Sequence, residues 1–108
     1  MGRKKINKEI KQYIQRLKKV VNPEKVILFG SFARGEATKW SDIDLLVVAH
    51  FPKTSYDKRF DILYDLHEGL VKKHDIHAYG ITPREFNDVK EWSILSDAKK
   101  EGIVIYQN

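Results

Sequence analysis

The sequence predicts an α+β fold, a β-sheet covered by helices, and three observations lead there. Apolar residues recur at helical spacing near the start, short continuous apolar runs bounded by turn residues follow, and a helix-start signature interrupts the second half. The elements run in the order α-β-β-α-β-α-α-β.

From Ile6 to Val21, the residues Ile6, Ile10, Tyr13, Ile14, Leu17, Val20 and Val21 recur at three and four, with basic and amide side chains between them. That is one amphipathic helix, and Asn22-Pro23 ends it because proline disfavours helical geometry in the residue before it. Val26-Ile27-Leu28-Phe29 reads as a buried strand that stops at Gly30-Ser31. Phe32 to Trp40 is loop or a single helical turn, and Ile43 to Val48 is the second strand. Phe51-Pro52-Lys53-Thr54-Ser55 breaks the pattern before a helix whose apolar face is Phe60, Leu63, Tyr64, Leu66, Leu70 and Val71, ending near Lys73. Asp75 to Ile81 alternates, with Asp75, His77 and Tyr79 on one face and Ile76 and Ala78 on the other, as a strand does. Thr82-Pro83-Arg84-Glu85 combines an N-cap threonine, a first-turn proline and a glutamate at the third position, a capping box. It opens a helix carrying Phe86, Val89 and Trp92. A short helix through Ile94, Leu95 and Ala98 ends at Gly102, and Ile103 to Tyr106 is the last strand.

Composition narrows the function classes. The 108 residues, 42% of them hydrophobic, suffice for one modest core, so residues 1–108 are expected to form a single domain. No cysteine is present, which removes disulfide frameworks and thiolate metal sites and fits the cytoplasm as the expected location. No apolar stretch approaches the roughly 20 residues that span a bilayer, so no membrane role is expected. The net charge of +5 invites a nucleic-acid partner, but Arg3, Lys4 and Lys5 supply three of those charges and read as a solvated, flexible basic tail. Nucleic acid is therefore not the favoured partner, since no stacking aromatics are interleaved with the basic residues.

Strands usually reject aspartate, yet Asp42 and Asp44 sit two apart at the head of an otherwise apolar strand. Alternation puts both on one face, roughly 6.6 Å apart by strand rise, at the margin of the layer that Leu46 and Val48 continue. Like charges there raise each other's pKa and call for compensation. Mg2+ or Mn2+ supplies it, since hard cations take carboxylate oxygens and a pair of ions roughly 3.5–4 Å apart is bridged by acids so spaced. The alternative is a turn cap at Asp42 and an edge-strand charge at Asp44 that blocks aggregation. The upstream residues favour the metal. Gly30 lets backbone and the Ser31 hydroxyl approach a phosphate, and Arg34 is either a charge clamp or a surface ion pair. Glu36-Ala37 stands where a P-loop needs lysine and serine or threonine, which excludes a Walker site. His50, His67 and His74 show no metal-ligand spacing with one another.

Gly30-Ser31-Phe32-Ala33-Arg34-Gly35 followed by Ser41-Asp42-Ile43-Asp44-Leu45 resembles the G-S-x-A-R-G…S-D-[IV]-D-[LV] signature of the minimal nucleotidyltransferases, small members of the DNA polymerase β-like superfamily. The leading helix, the helix start at Thr82 to Phe86 and a final E-G-[IV]-V-[IL]-Y strand are also similar. The resemblance implies a nucleotidyltransferase-like mixed sheet. It also implies transfer of a nucleoside monophosphate from ATP or another nucleoside triphosphate to an acceptor hydroxyl. In that picture Gly30, Ser31, Arg34 and Ser41 bind the nucleotide, while Asp42 and Asp44 hold metal and are catalytic. The family pattern wants a third carboxylate on the neighbouring strand. Counting back from Thr82-Pro83, that position falls at His77, with Asp75 two residues earlier. Asp75 in a shifted register is the preferred candidate, His77 as a substitute and impaired catalysis being the alternatives. Resembling proteins are often paired with a helical HEPN protein as antitoxin and toxin, so such a partner, or a second copy of the chain, is expected to complete the acceptor site. Trp40, Tyr56 and Trp92 are the aromatic anchors available for that contact.

Overall fold

The computed structural model describes residues 7–51, 56–66, 74–88 and 95–108. The basic tail, the Pro52 to Ser55 break, Leu70, Val71, His67, Val89, Trp92, Ile94 and the Tyr56 side chain lie outside the described residues.

The elements are α1 (Asn7–Val20), β1 (Lys25–Phe29), α2 (Ser31–Arg34), β2 (Ile43–Val48), α3 (Tyr56–Asp65), β3 (Ile76–Ile81), α4 (Pro83–Asn87), α5 (Leu95–Glu101) and β4 (Ile103–Gln107). The order matches the sequence expectation, with the segment after Gly30 taking the helical-turn option as α2. Left-handed Gly35 (φ 75°, ψ 19°) caps that turn. Thr82 caps α4 as its sequence predicts: its hydroxyl accepts the Glu85 N–H, while the Glu85 carboxylate accepts the Thr82 N–H.

The four strands form one mixed sheet in the order β3-β2-β1-β4. β1 runs antiparallel to β2 and β4, whereas β2 and β3 are parallel. The nearly continuous apolar sequence of β2 follows from this position, because an interior strand covered on both faces has no solvent side to mark with polar residues. It also removes the edge-strand explanation of Asp44, since β2 has a hydrogen-bonded neighbour on each side.

Alternation divides the core into two layers. On one face, Ile10, Tyr13, Ile14 and Leu17 of α1 pack on Val26, Leu28, Ile43, Leu45 and Val47. On the other, Ile27, Phe29, Leu46, Val48 and Ile81 pack with Ala98 of α5. Two polar ties fix α1 to the end of α3: the buried Tyr13 hydroxyl donates to the Leu63 carbonyl (2.6 Å), and Arg16 donates to that of Leu66 (3.0 Å). Arg59, also buried, reaches from α3 to Glu85 (2.6 Å) and the Gly80 carbonyl (3.3 Å), binding α3 to β3 and the start of α4. Among the described residues no helix is long and apolar enough to cross a membrane.

Candidate active site

The site lies at the end of β2 where the chain enters from the Thr38 to Ser41 turn, and sheet register assembles it. Asp44 pairs with Phe29 on β1 and with His77 on β3, so these residues form one row across three strands. Carried one residue beyond its first pair, Ile43 with Ile76, the parallel register sets Asp42 opposite Asp75. Two rows on one face thus present three carboxylates and an imidazole.

Asp42, Asp75 and His77 each offer one ligand atom within 4.8 Å of the others, with both aspartates exposed and the histidine half-buried. Nδ1 of His77 is 3.7 Å from Oδ2 of Asp42. The structure therefore brings both candidates for the third position, Asp75 and His77, to Asp42. Asp44 leans the other way, against Gly30. A β-carbon on Gly30 would overlap the Asp44 carboxylate, and Gly30 adopts φ 75°, ψ −155°, a conformation almost confined to glycine. The Gly-Ser bend and the paired aspartates are consequently one place in the molecule.

Electrostatics follow from that crowding. Burial pushes the Asp44 carboxyl above its ordinary value; His77 and Arg34 pull it partly back, and Asp42 adds to the rise. Tyr79, two residues along β3 on the same face, is also raised, by burial and by the charges of Asp44 and Asp42. Burial is the leading cause at both residues, and the neighbouring charges modify it.

The supporting residues are specific. The segment entering β2 is clipped to the lead-in of β3 twice: His74 donates from Nδ1 to the Ser41 carbonyl (2.8 Å), and the Ile43 N–H donates to the Asp75 carbonyl (2.8 Å). Because a carbonyl only accepts, the His74 proton sits on Nδ1. Its ring packs edge-on against Phe32 of α2, centroids 5.0 Å apart, linking the bend to the acid strand. The Ser41 hydroxyl accepts the Thr38 N–H (2.8 Å), closing the turn before Asp42. Arg34 donates from Nε to Glu36 (2.5 Å) on exposed surface. The part of His74 was missed from sequence; its partner lies 33 positions away, and the only local signal was its place beside Asp75.

Comparisons with known proteins agree with this geometry. A family model described as a nucleotidyltransferase domain matches residues 7–105. A Methanocaldococcus jannaschii protein named "Putative protein adenylyltransferase" is 37% identical over 103 residues, covering 92% of this chain and 96% of that protein. A second protein of that name from the same organism is 35% identical over 92 residues, covering 81% of this chain and 62% of its own length. The crystal structure of "a putative nucleotidyltransferase" from Sulfolobus solfataricus shares the fold at TM-score 0.61 and 19% identity, covering all (100%) of this chain and 91% of that one. With a family match over nearly its whole length and the Gly-Ser bend closed against Asp44, the chain belongs to the nucleotidyltransferase domain family.

Proposed function

We propose that this chain transfers AMP from ATP to a hydroxyl group on a protein acceptor, releasing pyrophosphate, and that the reaction requires a divalent cation. The observation that carries the reading is the contact between the Asp44 carboxylate and the Gly30 bend, next to the Asp42, Asp75 and His77 cluster. Phosphate-binding backbone and cation-binding side chains within one site are the parts that hold a triphosphate. AMP and a protein acceptor are taken from the names of the relatives.

In this reading Gly30 and Ser31 direct backbone N–H groups and the Ser31 hydroxyl to the triphosphate, and Arg34 exchanges Glu36 for a phosphate oxygen. Ser41 acts through the turn its hydroxyl closes, setting the position of Asp42. Asp42 and Asp44 would be the principal cation ligands: Asp42 offers its oxygen within 4.8 Å of ligand atoms on Asp75 and His77, and Asp44, on the same strand face, is held where burial disfavours its bare charge. A divalent cation such as Mg2+ or Mn2+ held by these carboxylates would supply positive charge against the triphosphate and the departing pyrophosphate. The acceptor oxygen forms the new bond to the α-phosphorus as the bond to the bridging oxygen breaks. Asp75, exposed at the rim, takes the acceptor proton.

The acceptor surface is proposed to come from a partner protein, of the helical HEPN kind or a second copy. Trp40, 81% exposed beside Lys39, is a ready anchor. A second reading, neutralisation of such a partner by binding alone, draws on the imidazole at the strand position beside Asp44. The test is incubation with ATP labelled at the α- or the γ-phosphate, a divalent cation, and the protein encoded by the neighbouring reading frame. Adenylyl transfer labels the acceptor from the α position only. No label from either position, with no ATP binding in calorimetry, contradicts the proposal. Neutralisation that survives Asp42→Asn with Asp44→Asn supports the binding-only alternative.

A further inference from the structure

We infer that His77 is a nitrogen ligand of this site and gives it a preference for Mn2+ over Mg2+. The inference rests on the reading of the site as a cation-dependent nucleotidyltransferase centre and goes beyond it, because it concerns which cation the residues select.

Register explains why His77 has this position. It is the parallel partner of Asp44, so its side chain leaves the same face of the sheet one strand away. Its Nδ1 stands 3.7 Å from Asp42 Oδ2, beyond hydrogen-bonding distance. Among the described residues its ring makes no hydrogen bond. Packing holds it instead: the rings of Phe60 and Tyr64 on α3 each lie 6.2 Å from it, themselves stacked 5.9 Å apart. A half-buried imidazole steadied by aromatics, with its nitrogen facing a carboxylate across a gap too wide for a direct bond, has the arrangement of a ligand. For metal–ligand bonds of about 2.1 Å, adjacent and opposite donors fall roughly 3 and 4.2 Å apart, which brackets the observed gap.

Donor chemistry then sets the preference. Carboxylates suit Mg2+ and Mn2+ alike, whereas imidazole binds Mg2+ poorly and is a good ligand for first-row transition ions. Asp42 and Asp75 with His77 form a mixed oxygen and nitrogen set, and Mn2+ accepts both donor types. A third carboxylate at this position would leave magnesium competitive.

The experiment uses the full chain with a non-hydrolysable ATP analogue. Mn2+ binding is followed by loss of the free-ion electron paramagnetic resonance signal, and the bound ion is examined by electron spin echo modulation for coupling to 14N. Wild type is expected to show 14N coupling and to bind Mn2+ at least about tenfold more tightly than Mg2+ in competition. His77→Phe keeps an aromatic ring without a nitrogen and is expected to lose the coupling while keeping the wild-type circular dichroism spectrum. His77→Asp is expected to lose it too, and to narrow the Mn2+ to Mg2+ ratio by about tenfold. Bound Mn2+ without 14N coupling in wild type, or coupling that persists in His77→Phe, overturns this inference and leaves the proposed activity standing. Failure of wild type to bind either ion with the analogue overturns both.

Discussion

The Asp44 carboxylate lies so close to the Gly30 α-carbon that no side chain fits between them. This contact joins the bend after β1 to the acid-bearing strand β2, and it makes Gly30 irreplaceable for two reasons at once. Its φ of 75° with ψ of −155° is a glycine conformation, and its missing β-carbon is where the carboxylate sits.

Gly30→Ala is therefore expected to destabilise the fold by about 1–3 kcal/mol in denaturant melts, the cost of holding a side chain in such a conformation. It should also cut transfer by about 10²-fold or more, on the scale of losing one aligned donor. Gly35→Ala is the control. Gly35 also has a positive φ, but a β-carbon there meets nothing within 4 Å. It should cost only about 1 kcal/mol of stability and spare the chemistry.

Asp44→Asn separates function from stability. Because the folded-state carboxyl is raised above its ordinary value, the folded chain holds that proton more tightly than the unfolded chain does. Its contribution favours folding below the unfolded value of about 3.9 and is lost as pH rises through the raised one. At neutral pH and without divalent cation, Asp44 weighs against the fold. Asp44→Asn should then melt higher than wild type at pH 7, and the difference should close in acid. Adding divalent cation and ATP should raise the wild-type melting temperature alone.

Tyr13→Phe probes the packing that carries the site without touching it. Burial pushes the Tyr13 hydroxyl above its ordinary range, so it remains a protonated donor to the Leu63 carbonyl. Removing it takes the tyrosine donor from that carbonyl and should cost about 0.5–1.5 kcal/mol in denaturant melts. Activity measured well below the melting temperature should be unchanged.

Arg34→Ala should leave the melting temperature at the wild-type value, since the pair with Glu36 is exposed. If Arg34 leaves Glu36 for phosphate during the reaction, KM for ATP should rise by about tenfold, the scale of a charge-assisted contact. An unchanged KM would assign Arg34 to the surface pair alone.

What the sequence made legible is what short-range physics controls. The bounds of β2 could be read directly because an apolar run between turn residues has few alternatives, and the Thr82 cap because all its atoms lie within four positions. The α2 turn is not legible, since four residues after a glycine carry almost no periodicity. Contacts set by pairing were not legible. Whether Asp75 or His77 would meet Asp42 depends on the parallel register of β2 and β3, and the answer is that both do. The His74 bond to Ser41 and the Arg59 tie to Glu85 likewise span 33 and 26 positions, and nothing local announces them.

The central claim is that Asp42 and Asp44, gathered with the Gly30 bend, support adenylyl transfer. The most direct measurement is the rate at which α-labelled ATP marks a protein acceptor in the presence of Mn2+ or Mg2+, compared between wild type and Asp42→Asn/Asp44→Asn. Labelling by wild type that falls by at least about 10³-fold in the double variant, with its fold intact by circular dichroism, is the predicted result. Equal labelling by the two proteins would contradict the account.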